Sequence, residues 1–482
     1  MTTLAPAGPR ARTKIVATLG PASSSAEVIE ALLRAGADVF RLNAAHAGPP
    51  QLAACLQTIR AVSQRLDQPV AVLVDLAGPK IRLGELAHGE VVCLDGAQVR
   101  FVRGTQAQAP DELVATYPQL LDDLRPGDRI MLADGTVILR VETIQPHQAL
   151  CRVLQGGTVR SRQGVNLPGV QVSTPALTSD DIEIARFAAA QDVDFVGLSF
   201  VRTPHEVRQL SQLLAECHST AAVVAKIEKP EALQHLESIV DAADAIMVAR
   251  GDLGVETDVA HMALQQKRIL QVCNRRHKPV IVATQMLDSM QQARYPTRAE
   301  ATDVANAILD GADACMLSGE TAVGRYPVET VAMMHRIALA TEEWFRDRPP
   351  RPPADTPISG LHPITQAMVL GAAQIATSLD ARLLVVASHS GATALALSNR
   401  RCHVPAIGVS DREATLRRMC LYWGVIPLRR APTGDVNQLA RFVESWGKSN
   451  SVLQPGDRLV MVRGTHLGSV VTNTLVVHEV SP

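Results

Sequence analysis

The chain has 482 residues, 46% hydrophobic and 20% charged, with 47 basic against 48 acidic side chains and a formal net charge of -1. This composition excludes the disordered and fibrous classes, and the balanced charge gives no global field toward nucleic acid or an anionic membrane. The length suggests roughly three domains at about 150 residues each.

The N-terminal stretch MTTLAPAGPRARTK lacks the apolar core of a signal peptide, and no run reaches the roughly 18 apolar residues of a spanning helix, so the expected location is cytoplasmic. Eight cysteines are scattered without a C-x-x-C pair, which argues against zinc ribbons and disulfide frameworks. Short Val/Ile/Ala-rich runs then recur at 13–20, 38–43, 69–76, 194–200, 221–228, 245–253, 279–286 and 314–320, separated by helical patterns such as SSAEVIEALLRAG at 24–36. Apolar strands without alternation are buried on both faces, and helices between them imply parallel βα units. Eight such units predict an α/β fold, a (β/α)8 TIM barrel.

One gap is too long for a βα connection. From 80 to 167 short alternating strands are punctuated by turn signals at 95, 126, 134 and 156, which predicts an inserted antiparallel β domain acting as a lid. The barrel then occupies 1–79 and 168–345. Residues 346–363 hold six prolines and read as a linker. Helix and strand patterns alternate again over 364–482, predicting a C-terminal open α/β domain.

Polar residues collect where the barrel strands end. Arg41 and Asn43 close the second strand, Asp75 the third, Lys226 and Glu228 the fifth, Arg250 and Asp252 the sixth, Thr284 the seventh, and Ser318 and Glu320 the eighth. Active sites of such barrels lie on that face. Lys226 and Glu228 are two apart on a strand and so point the same way, with Asp252 facing them from the next strand. Two carboxylates with room for water suit Mg²⁺ or Mn²⁺; a structural Lys-Glu ion pair is the alternative for either residue alone. Gly251 and Gly254 in ARGDLGVE allow a tight turn with N–H groups aimed at an anion, and a helix cap at Asp252 explains the motif equally well. Arg41 offers a planar fork for a phosphate or forms a rim salt bridge. Thr284 either positions a proton or caps the helix that follows. Ser388, Ser390, Gly391 and Thr393 stand at a strand-to-helix turn, where they either hold a phosphate or cap an ordinary turn.

The segments TKIVATLGPAS, RLNAAHA, DLAGPKIR, GVNLPG, AKIE, IMVARGDLGVE, ATQMLDSM, PTRAEATDVANAILDGADACMLSGETAVGRYP and TNTLVVH resemble, in order, the pyruvate kinase family of bacterial type. The resemblance implies phosphoryl transfer from phosphoenolpyruvate to ADP, giving pyruvate and ATP in glycolysis, with a regulatory C-terminal domain and a homotetramer. It further implies Mg²⁺ (or Mn²⁺) on Glu228 and Asp252, and Lys226 stabilising the transferring phosphoryl group and the enolate. Arg41 and Arg82 would hold the substrate phosphate, beside Gly251. Thr284, backed by Ser318 and Glu320, would deliver the enolate proton. Asn43, His46, Arg82 and Asp134 would lie toward the nucleotide, and a phosphorylated effector would bind the turn at 388–393.

The chain departs from the family's potassium-requiring members. They resemble R-L-N-F-S-H-G followed by D-T-K-G-P-E-I-R, in which Asn, Ser, Asp and Thr supply the ion's oxygens. Here Ala45 and Leu76 take the Ser and Thr positions and Lys80 replaces the Glu. The expectation is a potassium-independent enzyme in which the Lys80 ammonium lies beside Asp75 as a built-in cation. Gln163 also stands where a lysine is common before GVNLPG. Two other readings remain at this level: a metal-dependent pyruvate aldolase on the same barrel, and a regulatory binding protein without turnover.

Overall fold

The computed structural model describes residues 10–133, 135–345, 358, 360–464 and 471–481. Eight parallel strands close into one barrel: Lys14–Thr18, Val39–Asn43, Ala71–Asp75, Phe195–Leu198, Ala222–Ile227, Ala245–Ala249, Val280–Ala283 and Ala314–Leu317. Each strand is apolar throughout because helices cover the outside and neighbouring side chains fill the inside. The first helix, Ala26–Ala35, shows how local signals delimit these units. Ser25 accepts the N–H of Val28 at the start, and Gly36 ends the helix at φ 117°, a left-handed conformation that glycine adopts without a Cβ clash.

The lid region leaves after Asp75 and returns before the helix Ser179–Ala190. Its main sheet has six strands, joined by a two-stranded ribbon of Glu90–Cys93 and Gly157–Arg160. The expected antiparallel character needs one correction. Gln98–Val102 runs parallel to Glu112–Leu113, because the chain between them crosses back over the sheet rather than reversing in a hairpin. The region has its own core, built on residues such as Phe101, Leu113, Ile130, Leu139 and Cys151.

The C-terminal sheet has five strands, in the order Val425–Pro427, Ala406–Val409, Leu383–Ala387, Arg458–Gly464 and Thr472–Glu479. The last is antiparallel, and its half-exposed side chains give it little hydrophobic signal in the sequence. Most of the expected linker at 346–363 lies outside the described residues. Among the described residues, no helix is long and apolar enough to cross a membrane.

A repeated device secures the barrel floor. Asp38, Asp194, Asp244 and Asp313 each stand one residue before a strand and accept the N–H of Ile15, Val72, Val223 and Val280 on the adjoining strand, at 2.8 to 3.0 Å. The C-terminal region docks on two of these acids. Arg417 Nε donates to Asp194 Oδ1 at 2.6 Å and Arg401 donates to Asp313 Oδ1 at 2.9 Å, while the buried Lys14 reaches the Val425 carbonyl at 2.7 Å. Docking at the floor leaves the opposite mouth open.

His335, on the helix Pro327–Phe345, tests the packing of the N-terminal segment. Its Nε2 accepts the Ala11 N–H at 3.1 Å, which requires a neutral ring, and burial lowers its affinity for a proton. Below the ordinary value of 6.5 the unfolded chain protonates first, so this stabilisation is present at higher pH and is lost as pH falls. In urea unfolding, the stability advantage of the parent over His335→Gln should therefore shrink between about pH 8 and about pH 5. An equal gap at both would mean that the ring is not held neutral.

Candidate active site at the barrel mouth

Strand alternation decides what faces the mouth. Val16, Val39, Leu73, Val224 and Met247 pack together inside the barrel, while Ala17, Phe40, Val74, Val223 and Val248 pack among the surrounding helices. Continuing the inward set along each strand brings Thr18, Arg41, Asn43, Asp75, Ser199 and Lys226 to the mouth. Asn43 pairs with Asp75, and Asp75 with Gly197, at one level.

Asp75 is 1% exposed and its Oδ2 gathers the positive charge. Arg41 Nε donates to it at 2.7 Å and Lys226 Nζ lies at 3.2 Å. Burial alone would push the Asp75 carboxyl up, but the charges of Lys226 and Arg41 hold it below the usual carboxylate range. Burial would likewise favour a neutral Lys226, and Asp75 and Glu228 outweigh it and keep the ammonium charged. Lys226 also meets Glu228 Oε1 at 3.0 Å and donates to Ser199 Oγ at 2.8 Å. Ser199 Oγ in turn donates a hydrogen bond to the Leu76 carbonyl at 2.6 Å, and Thr18 Oγ1 accepts from Arg41 at 3.2 Å. Thr18 and Ser199 were not singled out in the sequence; each ends a strand whose last residues carry no charge.

Glu228 is fully enclosed. Its Oε2 accepts the Phe200 N–H at 2.8 Å, and Phe200 takes φ 55° to present it. Desolvation raises the Glu228 carboxyl; Lys226 opposes this and the negative charge of Asp252 adds to it. With Asp252 raising the cost of ionising Glu228, this pair of acids is a favourable place for a divalent cation. No cluster of three or more His, Cys, Asp or Glu suited to a metal occurs among the described residues. The pair therefore fits a hard cation that completes its shell with water and substrate oxygens, as Mg²⁺ does, rather than one held in an all-protein cage.

Lys80 requires a correction. Its ammonium lies 3.2 Å from Asp252 Oδ1, not beside Asp75. Gly78 turns the chain at φ 66°, with its N–H on Asp181, and Lys80 emerges across the mouth. Asp75 already holds two cations on its one charged face, whereas Asp252 offers a carboxylate with no other cation within ion-pair distance among the described residues.

The sixth strand is shorter than expected. It ends at Ala249, and Arg250–Glu256 is a helix with Asp252 in its first turn. Gly251 directs its N–H to Thr284 Oγ1 at 2.7 Å, so in this state that donor meets a side chain rather than an open anion site. Thr284 and Gln285 take φ 67° and 53°, a conformation that non-glycine residues hold only where the surroundings enforce it. Here Arg250 enforces it, donating to the carbonyls of both residues and to Asp303. Thr284 Oγ1 in turn donates to the Ala283 carbonyl rather than to Ser318 or Glu320. Glu320 spends both oxygens on the N–H groups of Leu287 and Ser318, burial raises its carboxyl, and Ser318 Oγ is buried without a partner.

Toward the rim, Asn43 Oδ1 accepts the Ala45 N–H and its carbonyl accepts from His46. Arg82 donates to the Arg162 carbonyl at 3.2 Å, and Gln163 accepts the Arg160 N–H at 2.7 Å. Asp134 lies outside the described residues. In the C-terminal region Ser388 Oγ accepts the Gly391 N–H at 3.1 Å within the turn, and the Thr393 hydroxyl bonds that of Thr472 on the last strand. Ser390 stays exposed beside the His389–Asp411 pair.

A buried cluster at the lid hinge also went unnoticed in the sequence. Glu256 Oε1 accepts from Lys229 at 2.6 Å and from Asn166, in the lid's returning strand, at 3.1 Å. Glu256 Oε2 is buried with no protein partner and borders a cavity of about 30 Å³ also lined by Lys80, Phe200 and Arg202. Acids near helix ends are usually solvated, so nothing in the local pattern marked this one.

The chain is similar to known proteins along nearly its whole length. The family model described as pyruvate kinase, barrel domain, matches residues 10–331, and that described as pyruvate kinase, alpha/beta domain, matches 366–478. A pyruvate kinase of Mycobacterium intracellulare is 41% identical over 474 residues, covering 97% of this chain and 98% of that protein. One from Corynebacterium glutamicum is 41% identical over 469 residues, covering 97% of each. Another, from Geobacillus stearothermophilus, is 38% identical over 475 residues, covering 98% of this chain and 80% of that protein.

Gly197 offers a direct test of the mouth's packing. A Cβ built there would stand 2.6 Å from Asp75 Oδ1, an oxygen with no partner and no room to retreat. Gly197→Ala should destabilise the chain by about 1 to 3 kcal/mol in denaturant unfolding. A neutral substitution would show that Asp75 can shift, contrary to its fixed place between Arg41 and Lys226.

Proposed function

The chain belongs to the pyruvate kinase family, phosphotransferases acting on phosphoenolpyruvate, ADP, pyruvate and ATP, and from that premise we propose how its residues divide the work. The observation that carries the reading is the pair of cations, Arg41 and Lys226, held on one buried oxygen of Asp75 at the barrel mouth. Phosphoryl transfer asks for positioning and charge neutralisation more than covalent chemistry. Arg41 grips the substrate phosphate from below by turning to it the Nη1 that donates to Thr18 in this state, assisted by Arg82 on swinging from the Arg162 carbonyl. Lys226, kept protonated by its two acids, faces both the moving phosphoryl group and the enolate oxygen left behind.

The family generally uses a divalent metal. Glu228 and Asp252 would hold it here, as Mg²⁺ or Mn²⁺, and when bound it neutralises charge on phosphate and enolate oxygens. Thr284, just past the end of the seventh strand, supplies the hydroxyl through which the enolate gains its proton. Its Oγ1 then leaves the Gly251 N–H, which becomes a donor for the substrate carboxylate. Ser318 and Glu320 act behind it by fixing the Leu287 turn. Asn43, His46, Arg82 and Asp134 face the nucleotide beneath the lid of residues 80–167, which closes over the mouth and excludes water.

The enzyme works without potassium. Ala45 and Leu76 have no side-chain oxygen for the ion, and Lys80 brings a permanent cation to the same mouth, although through Asp252 rather than Asp75. Regulation through Ser388, Ser390, Gly391 and Thr393 by a phosphorylated effector, a homotetramer and a cytoplasmic location complete the reading. ATP formation from phosphoenolpyruvate and ADP should proceed fully with Mg²⁺ in buffer free of potassium and ammonium. Lys80→Glu should lower that turnover about tenfold or more. Turnover that appears only with potassium, or an undiminished variant, would remove Lys80 from the cation's role.

A further inference from the structure

Each carboxylate offered to the divalent cation carries a lysine, and the two lysines are held very differently. Lys226 meets Glu228 at 3.0 Å and is locked by Asp75 and Ser199, with its side chain 10% exposed. Lys80 meets Asp252 through a single contact of 3.2 Å, and the two side chains are 34% and 28% exposed. Lys226 cannot leave without stranding a buried charge. Lys80 can, because water reaches both partners and the stem springs from the Gly78 turn at the start of the lid.

We infer that Lys80 is an exchangeable counter-ion of the metal site. It covers Asp252 in the free enzyme, is displaced when a divalent cation takes that carboxylate, and is thereby released toward the anionic substrate. The inference rests on reading Glu228 and Asp252 as the metal carboxylates. Its chemistry is a competition between an ammonium and a divalent cation for one oxygen pair. The free enzyme thus holds metal less tightly than its two acids alone would, and an anionic substrate recovers the difference by giving Lys80 another partner. Metal and substrate binding become mutually favourable, as linkage requires of two ligands that bias the same side chain.

The test is Mn²⁺ binding to the full-length enzyme without substrate, read from the electron paramagnetic resonance of the free ion. Lys80→Met should bind Mn²⁺ about two- to fivefold more tightly than the parent, the range expected for losing one partly exposed competing ion pair. Arg82→Gln is the control, because that guanidinium is nearby but bonds the Arg162 carbonyl rather than a carboxylate; it should bind like the parent. Unchanged or weaker binding by Lys80→Met overturns the inference, and so does an equal gain in Arg82→Gln, which would reflect the general field of nearby cations. Asp252→Asn separates the premise from the inference. If it leaves Mn²⁺ affinity intact, the metal reading itself fails; if it weakens binding while Lys80→Met changes nothing, only the exchange fails.

Discussion

The mouth of this barrel depends on the Asp75 carboxylate. It sits at the end of a strand whose every residue is buried, where an ionised group alone would be expelled by its desolvation cost. Two cations that would otherwise repel each other across the mouth, Arg41 and Lys226, converge on its Oδ2 instead. Their remaining valences are then assigned: Arg41 to Thr18, Lys226 to Ser199 and Glu228. Arg41 and Lys226 balance Asp75 and Glu228, so the deep layer is neutral before any ligand arrives.

The same kinds of ion pair serve the floor to a different end. There Arg417 and Arg401 reach from the C-terminal region into Asp194 and Asp313, acids that also cap strand N–H groups. Asp194 is fully buried on its side chain and Arg417 nearly so, which makes removal of either partner costly, of the order of 3 to 5 kcal/mol for buried pairs. Neither of these two pairs has the exposed, single-contact character of Lys80 with Asp252. Depth therefore separates attachment from exchange: pairs sealed from water fix the architecture, and a pair open to water can trade partners within a reaction cycle.

Much of this was legible in the sequence because strand ends of a barrel carry polar residues only for a reason. Arg41, Asp75, Lys226 and Glu228 stood out as charges at the ends of apolar runs, and the structure brings them within hydrogen-bonding reach of one another. Thr18 and Ser199 did not stand out, since a hydroxyl after an apolar strand is commonplace, yet they orient the two cations. The partner of Lys80 was misjudged for a geometric reason. Sequence spacing links it to Asp75, five residues away, but the left-handed turn at Gly78 carries it over to an acid on another segment. The sixth strand was read too long because AIMVARGDL keeps apolar residues up to Leu253, which in fact packs from a helix.

The hinge cluster ties the inserted region to the two segments that carry Glu228 and Asp252. Lys229 follows Glu228 directly in the chain, and Glu256 ends the same short helix that begins with Arg250, Gly251 and Asp252. Glu256 joins Lys229 to Asn166 of the returning strand, both donating to its Oε1. A swing of the lid that moves Asn166 must either break a buried hydrogen bond or carry Glu256 with it. Breaking it would leave a polar amide without a partner in a site only 7% exposed, a cost of about 1 to 3 kcal/mol. Carrying it would shift the helix that holds Asp252 and the residue next to Glu228. The position of the inserted region is thus linked through Glu256 to the helix of Asp252 and to the residue after Glu228, and Lys80, on the connection that leaves the third barrel strand, lines the same cavity.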